Sequence, residues 1–287
     1  MPVSFDLLRT FLAVHRAGSV TRAAELLQLS QPTVTAQIKA LERALDRPLF
    51  ERRPRGMAPT AAADRLARRV AGPLDALEEF VGDDTGADAF ARAVHLGGPA
   101  ELVAARVLPC LAPLVRDGLQ LRVALGLPGD LAAALTDGRL DLAVSTVRPR
   151  QAGLHAEPLC DEEFVLVAAP PCADADVDRA PLVAYAENLP ILRRYWRTVF
   201  GRRLTRAPAL VVPDLRGVLA AVAAGAGVTV LPRYLCAADL AAGRLRVLRE
   251  PELPPINTLY LVSRAGTVHP AAATVRDRLR RAGRTWS

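Results

Sequence analysis

The sequence is poor in aromatic residues, lysine and cysteine, and it has no long uncharged apolar run. Aromatic side chains make up 5% of the 287 residues, Lys39 is the only lysine, and there are 4 cysteines. The longest uncharged run, Gly217 to Pro232, has 16 residues and is interrupted by glycine. A helix that crosses a bilayer needs roughly 20 apolar residues, so we expect no membrane partner. Asp6 and Arg9 within the first apolar stretch argue against a signal peptide and favour a cytoplasmic protein.

The cysteine and histidine residues are scattered and form no metal or catalytic motif. Cys110, Cys160, Cys172 and Cys236 lie far apart without a C-x-x-C pair, which favours small, buried apolar residues over a zinc site. A redox pair of Cys160 with Cys172 remains an alternative. The histidines are isolated, and no nucleophile elbow, phosphate-binding loop or metal-ligand spacing occurs. The sequence therefore predicts no catalytic residue, no metal and no cofactor, and an α/β enzyme is the less favoured interpretation.

Charge is unevenly distributed along the chain, whose formal net charge is +7. Residues 1–60 carry 9 basic and 5 acidic side chains, whereas residues 61–82 carry 3 and 4. Nearly all the basic residues are arginines, which pair with phosphates and carboxylates through a planar fork, so the excess favours anionic partners. Hydrophobic residues at 51% exclude a disordered chain, and the length favours at least two domains.

Apolar periodicity predicts three helices within the first 45 residues. The first helix ends at Gly18, Ser19 is a good N-cap for the second, and the third begins at Gln31-Pro32. The outward face of the third helix carries amides, hydroxyls and one cation: Gln31, Thr33, Thr35, Gln37 and Lys39. Such a face after a tight turn suits the major groove of DNA, since glutamine can contact adenine through two hydrogen bonds. A helical bundle with a solvated polar face is the alternative.

An arginine-rich arm follows the third helix. It carries Arg47, Arg52, Arg53 and Arg55 among several prolines. Cations on such an arm can contact phosphates or enter the minor groove of DNA. Their position beside an amide-bearing helix favours DNA binding over the plain bundle.

The first 60 residues resemble the winged helix-turn-helix of LysR-type transcriptional regulators. The resemblance rests on FDLLRTF at residues 5–11, SVTRAAELL at 19–27, and LSQPTVTAQIKALE at 29–42, followed by LFER at 49–52 and Pro59-Thr60. These motifs are contiguous and in the order that the family shows. The resemblance implies a transcription regulator that is not an enzyme.

Carried over position by position, the resemblance implies three groups of DNA contacts. Base edges would be read by Gln31, Pro32, Thr33 and Thr35, with Gln37 on the same helix. Phosphates would be contacted by Ser19, Thr21, Ser30 and Lys39. The wing would enter the minor groove with Arg55, beside Arg52 and Arg53. The position after Thr35 is often arginine in relatives and is Ala36 here.

A linker helix is predicted from Ala61 to Val81 after the cap residue Thr60. Its apolar stripe is close to a coiled-coil seam: Leu66, Val70, Leu74, Leu77 and Val81. The resemblance implies that this helix pairs two chains, as a homodimer or homotetramer on a pseudo-palindromic promoter site, and RNA polymerase is a further expected partner. Packing on its own domain is the alternative. Gly72-Pro73 predicts a kink or break near Val70.

The C-terminal region alternates short apolar strands with helices, which predicts parallel βαβ units. Two such lobes joined by two crossing strands suggest a hinged clamp with its ligand between the lobes. This region resembles the effector-binding domain of the same family, which is similar to periplasmic solute-binding proteins; the segments DGRLDLAV at 137–144 and VAAGAGVTVLP at 222–232 are typical of it. The expected fold is therefore an α+β multidomain protein.

The predicted domain boundaries follow these patterns. Residues 1–58 form the winged helix-turn-helix, 59–82 the linker helix and 91–287 the effector domain. Lobe I covers about 91–163 and 262–287, and lobe II about 168–258.

The resemblance places the effector pocket on four segments: Gly98-Pro99-Ala100-Glu101, Ser145-Thr146, Glu187-Asn188 and Thr229. Many relatives have a serine or threonine at the start of the first helix, where free N–H groups bind a carboxylate. Here that stretch holds Glu101, which disfavours an acidic effector and makes an amine-bearing one an option. A helix-dipole role for Glu101 facing water is the alternative. The basic run from Arg193 to Arg206 suggests a solvated helix face, with a second anion-binding patch as the alternative.

The sequence predicts a sequence-specific DNA-binding regulator switched by a small-molecule effector between the two lobes. A ligand-binding module without a DNA function is the competing hypothesis.

Overall fold

The computed structural model describes residues 3–53, 56–84, 92–172, 177–266 and 268–286. No helix within these ranges is long and apolar enough to cross a membrane. Two regions follow one another along the chain, a helical one up to Asp84 and a mixed α/β one from Arg92.

The N-terminal region is a three-helix unit with a β-hairpin wing, as predicted. Its elements are α1 (Phe5–Ala17), α2 (Val20–Leu27), α3 (Gln31–Leu45), β1 (Phe50–Arg53) and β2 (Gly56–Pro59). Serine caps each helix: the side chains of Ser4, Ser19 and Ser30 accept hydrogen bonds from the backbone of the first turn. Phe11, Val34 and Leu41 are fully buried and hold the three helices around one core.

The linker helix α4 (Ala61–Asp84) packs on its own domain. Its inward face consists of the small side chains Ala63, Ala67 and Ala71, which are fully buried and allow close approach to the DNA-binding domain. Of the predicted seam, Leu74 is buried, Leu66 and Val70 are half-buried and Leu77 is exposed, while the Val81 side chain lies outside the described residues.

Gly72-Pro73 does not break the linker helix near Val70: α4 is one continuous helix with Pro73 inside it. A proline removes one backbone hydrogen bond. Here the buried side chains of Ala71 and Leu74 anchor the helix to the domain core on both sides of that position.

The C-terminal region forms two lobes around a mixed seven-stranded sheet. Lobe I is built from β3 (Val94–Gly98), α5 (Ala100–Leu102), a π-helical turn (Val103–Val107), α6 (Leu108–Arg116), β4 (Leu121–Leu125), α7 (Pro128–Thr136) and β5 (Leu142–Ser145). The strand β6 (Leu154–Ala168) leads into lobe II, with β7 (Val183–Ala184), α8 (Pro190–Val199), β8 (Leu210–Val211), α9 (Leu215–Ala223), β9 (Val228–Pro232), α10 (Arg233–Ala241) and β10 (Arg246–Arg249). The chain returns through β11 (Ile256–Arg264) and ends with α11 (Pro270–Gly283).

The strand order in the large sheet is β10-β6-β11-β5-β3-β4, with β9 also paired to β6. The pairs β3–β4 and β3–β5 are parallel, as predicted for lobe I. The first part of β6 pairs with β11, and its end, from Phe164, pairs with β9 and β10. Because β6 pairs with β11 of lobe I and with β9 and β10 of lobe II, its middle lies at the junction of the lobes.

Of the two crossings predicted as strands, only the first is a strand. This strand, β6, begins at Leu154, and its charged first half pairs with β11 before the apolar end from Phe164 enters lobe II. The second passage is made by the segment before Ile256, since all of β11 pairs within lobe I.

The helical segment formed by α5 and α6 contains the π-helical turn between them. A π-helical turn shifts the hydrogen-bond pattern by one residue, and Pro109 directly after it has no backbone N–H to contribute.

No disulfide joins Cys110, Cys160, Cys172 or Cys236. Cys160 packs against the lobe I core and Cys172 against the lobe II core. The two thiols of the alternative redox pair, Cys160 and Cys172, therefore pack against different hydrophobic cores.

Candidate functional site

The start of α3 presents the polar face that the sequence predicted. Gln31, Pro32 and Thr33 are exposed in its first turn, and Thr35 is half-buried one turn later. The Ser30 hydroxyl accepts a hydrogen bond from the Thr33 backbone N–H at 3.2 Å and lies 2.7 Å from the Thr33 hydroxyl. This cap fixes the first turn of α3 and leaves its side chains projecting from the domain.

Residues predicted to contact phosphates flank that turn. Ser19 caps α2, Thr21 is exposed in the first turn of that helix, and Lys39 is exposed on α3. Gln37 differs, because its side-chain carbonyl accepts a hydrogen bond from the buried hydroxyl of Thr10. That oxygen ties α3 to α1 and is turned away from the exposed face.

The wing is fastened to α3 by one carboxylate. Glu42 Oε1 accepts hydrogen bonds from the backbone N–H groups of Leu49 at 2.7 Å and Phe50 at 3.2 Å. This contact orients β1, whose backbone includes Arg52 and Arg53; their side chains, and the whole of Arg55, lie outside the described residues.

The predicted effector residues lie at the ends of strands and starts of helices, with unequal exposure. Gly98 ends β3, Pro99 precedes α5, and Ala100 and Glu101 form its first turn. Ser145 is buried at the end of β5 and its hydroxyl bonds the backbone of Val147, while the Thr146 carbonyl accepts from Asn257. Thr229 is buried in β9 beside a small cavity that Tyr185 also lines. Glu187 and Asn188 are exposed on the loop before α8.

Three polar residues missed by sequence reasoning join Glu101 at the lobe junction. Glu162 lies in the middle of β6 and is 6% exposed. Asn257, at the start of β11, donates hydrogen bonds to Glu162 Oε1 at 3.0 Å and to the Thr146 carbonyl at 3.2 Å. The hydroxyl oxygen of Tyr234, in the first turn of α10, is buried without a hydrogen-bond partner. We call Glu101, Glu162, Tyr234 and Asn257 the junction cluster.

Burial dominates the electrostatics of the junction cluster. It raises the pKa of Glu162 to about 7, an effect opposed by the Asn257 hydrogen bond and reinforced by the charge of Glu101. Burial also raises the pKa of Glu101, so this side chain does not simply face water as the alternative interpretation held. The guanidinium of Arg106 lies 5.4 Å from the centre of the Tyr234 ring. It forms a cation–π contact with this ring and not an ion pair with a carboxylate of the cluster.

A second polar cluster joins the DNA-binding domain to lobe I. Arg16 of α1 donates to both carboxylate oxygens of Asp75 in α4, at 3.1 and 2.8 Å, and to the Gly138 carbonyl at 2.7 Å. Arg92 lies 2.6 Å and Arg264 3.4 Å from the same carboxylate. We call these five residues the interdomain cluster. It connects α1 and α4 to the turn after α7 and to β11.

The interdomain cluster continues into lobe I through Asp141, which is 4% exposed. Asp141 accepts a hydrogen bond from the His95 backbone N–H at 2.8 Å and lies 3.6 Å from His269 Nε2. Burial alone would raise the pKa values of Asp75 and Asp141, but the neighbouring cations and hydrogen-bond donors outweigh it and lower both. Both carboxylates are therefore ionised at neutral pH.

The basic run on lobe II is partly structural. Arg206 donates to the backbone carbonyls of Val177 and Ala180, both at 2.9 Å, and Arg194 donates to the Ile256 carbonyl. Arg193, Arg197 and Arg203 are exposed. Within the described residues no group of three or more His, Cys, Asp or Glu could hold a metal ion.

These features define a class of protein. A capped helix-turn-helix with a wing is joined by a linker helix to a two-lobed α/β domain with buried polar groups between its lobes. That is the architecture of a DNA-binding regulator with a ligand-sensing domain.

Comparison with known proteins gives the family. Residues 5–64 match the family described as bacterial regulatory helix-turn-helix protein, lysR family, and residues 87–284 match the LysR substrate binding domain. The chain therefore belongs to the LysR family of transcriptional regulators. Its relatives are named as regulators and not as enzymes.

Individual relatives cover nearly the whole chain. The HTH-type transcriptional regulator AbaB of Streptomyces antibioticus is 49% identical over 98% of both chains. PtxR of Pseudomonas aeruginosa is 32% identical over 85% of this chain and 81% of its own. Among solved structures, ArgP from Mycobacterium tuberculosis has 26% identity and a TM-score of 0.74 over 98% of both chains. LysG from Corynebacterium glutamicum, described with bound effector Arg, has 20% identity and a TM-score of 0.68 over 99% of both chains, a likeness of fold.

Proposed function

We propose that this regulator reads a pseudo-palindromic promoter site with the first turn of α3. The observation that carries the proposal is the Ser30-capped turn, which leaves Gln31, Pro32 and Thr33 exposed together. Thr35 would complete the set that reads base edges, and Gln37 would position α3 through its bond to Thr10. Ser19, Thr21, Ser30 and Lys39 would contact phosphates, and Arg52, Arg53 and Arg55 would serve the wing.

A gel-shift titration with the regulator's own upstream promoter DNA tests this proposal. Gln31→Ala should weaken specific binding by roughly 1–3 kcal/mol and relax preference at one base pair, whereas Lys39→Ala should weaken all DNA binding and reduce its salt dependence. Gln151→Ala, an exposed glutamine on lobe I, is the matched control. If Gln31→Ala weakened binding to promoter DNA and to random DNA equally, Gln31 would not be a residue that reads a base.

A homodimer or homotetramer is the assembly that we propose. In support, the edge strand β4 exposes Val123 and Leu125, and the neighbouring α6 exposes Leu108 and Val115. An exposed apolar edge strand of this kind favours association with another chain. Light scattering of Val123→Glu should give a smaller assembly than wild type; an unchanged mass would exclude this surface. RNA polymerase is a further partner that we propose for a regulator bound at a promoter.

The effector site that we propose lies between the lobes, around the junction cluster. Buried polar groups between two lobes are a common setting for a small ligand, and the related fold of LysG is described with arginine as effector. Effector binding would change the position of lobe II on lobe I, and the interdomain cluster would pass this change to α1 and α4.

A protein that acts on promoters works where the bacterial chromosome lies, which supports a cytoplasmic location.

A further inference from the structure

Among the described residues, no cationic side chain forms a direct ion pair with either carboxyl group of the junction cluster. Within the described part of the chain, no cation lies within 4.0 Å of the carboxylate of Glu162 or of Glu101. Glu162 is 6% exposed, and its one neutral partner, Asn257, binds only Oε1. A buried carboxylate without a cationic partner costs free energy that a bound cation can recover.

Three cations near the cluster are engaged elsewhere, and one of them, Arg216, pairs with Asp214 at 2.6 Å. Arg106 lies over the ring of Tyr234. Arg194 is exposed and donates to the carbonyl of Ile256. None of the three guanidinium groups forms an ion pair with Glu162, so the carboxylate keeps an unused acceptor.

The Tyr234 hydroxyl is a second and independent observation. Its oxygen is buried and has no hydrogen-bond partner. A buried hydroxyl that is left unpaired is unusual in a folded protein and calls for a ligand or water. Its pKa is raised by burial and by the charges of Glu162 and Glu101, which places the hydroxyl in the field of both carboxylates.

We propose that the effector is an organic cation, an amine or a guanidinium, held between Glu162 and Glu101 with the Tyr234 hydroxyl as a further partner. This inference rests on the effector site proposed above and names its ligand class. The cation would pair with the unused oxygen of Glu162, while Asn257 keeps the other oxygen oriented. Glu101, on α5 of lobe I, would contact the same ligand as Tyr234, on α10 of lobe II, so binding would link the two lobes.

Chemistry at the start of α5 agrees with this ligand class. Glu101 stands in the first helical turn next to the α9 residues Asp214 and Arg216, whose charges act on its pKa. A carboxylate effector at that position would meet the negative charges of Glu101 and Glu162 after losing its own hydration, which is unfavourable. A cationic effector would instead be attracted by both carboxylates.

Isothermal titration of the full-length protein with agmatine, L-arginine, putrescine, L-citrulline and benzoate tests the proposal. We expect saturable binding of at least one of the three cations. L-citrulline, which replaces the guanidinium of arginine by a neutral urea, should bind at least about tenfold more weakly than L-arginine if arginine is the bound cation. Glu162→Gln should weaken cation binding at least about tenfold.

Glu163→Gln is the matched control, because Glu163 is the next residue on β6 but pairs with Arg233 at 2.8 Å. It should leave cation binding unchanged. No binding of any of the three cations, or equal binding to the wild type and Glu162→Gln, would overturn the proposal, as would tighter binding of benzoate than of the cations.

A gel shift on the same samples separates this proposal from the proposed function. Suppose that the protein binds the promoter selectively and that benzoate, not a cation, changes this binding. The proposed ligand class would then be wrong, while the proposed DNA-binding function would still hold. If wild-type protein binds no promoter DNA selectively, the DNA-reading proposal fails whatever the titration shows.

Discussion

At the scale of single residues, three buried carboxyl groups differ in the charges that surround them. Asp75 and Asp141 are surrounded by arginines and histidines and stay ionised. Glu162 has only an amide as its partner, and its pKa is raised to about 7. The same functional group, a buried carboxyl, thus forms a structural contact in one place and lacks a cationic partner in the other, because the surrounding charges differ.

Glu162→Gln should stabilise the ligand-free protein at pH 8 and leave it nearly unchanged at pH 5. The folded protein holds the Glu162 proton up to about pH 7, whereas an unfolded chain releases it near pH 4.5. Wild-type stability therefore falls as the pH rises through this window, by about 3 kcal/mol. Thermal unfolding at both pH values measures the difference, and Glu163→Gln should show no such gain at pH 8.

Asp75→Asn should weaken the contact between the DNA-binding domain and lobe I. Arg16, Arg92 and Arg264 converge on this carboxylate. Removing its charge takes the carboxylate partner from Arg16 and leaves Arg92 and Arg264 with Asp141 at 3.8 Å, at a cost of about 3–5 kcal/mol. Asp137→Asn is the control, because its partners Arg68 and Arg139 are about 40% exposed and such pairs contribute about 1 kcal/mol or less. Chemical denaturation compares the variants; an equal loss for both would contradict the buried role of Asp75.

At the scale of elements, the position of the wing depends on one side chain of α3. Glu42 accepts hydrogen bonds from two backbone N–H groups at the start of β1. Helix and hairpin are thereby held at a fixed orientation, which the wing needs if it is to follow a groove beside the one that α3 enters.

Glu42→Ala should therefore lower both stability and DNA affinity. It leaves the Leu49 and Phe50 N–H groups unpaired, at about 1–3 kcal/mol. Circular dichroism in urea and a gel shift measure the two effects. Glu51→Ala, an exposed position on the wing itself, serves as the control. Full retention of DNA affinity at a temperature where the variant is folded would show that Glu42 does not orient the wing.

At the scale of the whole molecule, the turn at Gly138 determines how closely the DNA-binding domain approaches lobe I. Gly138 has φ +73°, and a Cβ built on it would lie 2.6 Å from the Cβ of Ala71 in α4. Its carbonyl also accepts from Arg16. The contact therefore depends on a residue without a side chain.

Gly138→Ala should separate the two domains or destabilise the chain, because both the backbone conformation and the contact become strained. Gly243→Ala is the matched control, since Gly243 has φ +69° but nothing within 4 Å of a Cβ. The control carries only the backbone cost, about 1 kcal/mol. Limited proteolysis between residues 84 and 92 should be faster in Gly138→Ala than in Gly243→Ala. Equal rates would show that the close approach at Ala71 has no effect on the domain contact.

The N-terminal fold could be predicted from the sequence because its signals are local. Ser19 and Ser30 cap helices within three residues of themselves, and apolar spacing gives the buried face of each helix. The alternation of strands and helices likewise predicted two α/β lobes.

Only the tertiary structure brought Glu162 next to Asn257, which is 95 residues away, and Asp75 next to Arg264, which is 189 residues away. No local pattern marks these residues, since a lone glutamate on a charged strand has the same sequence signal whether it faces water or a lobe junction. Strand pairing between β6 and β11 decides which way it faces. The lack of a long uncharged apolar run had predicted that no helix crosses a membrane, and the motifs had indicated a regulator. Strand pairing decided which charged side chains are buried and which of them pair, because burial and distance exist only in the folded chain.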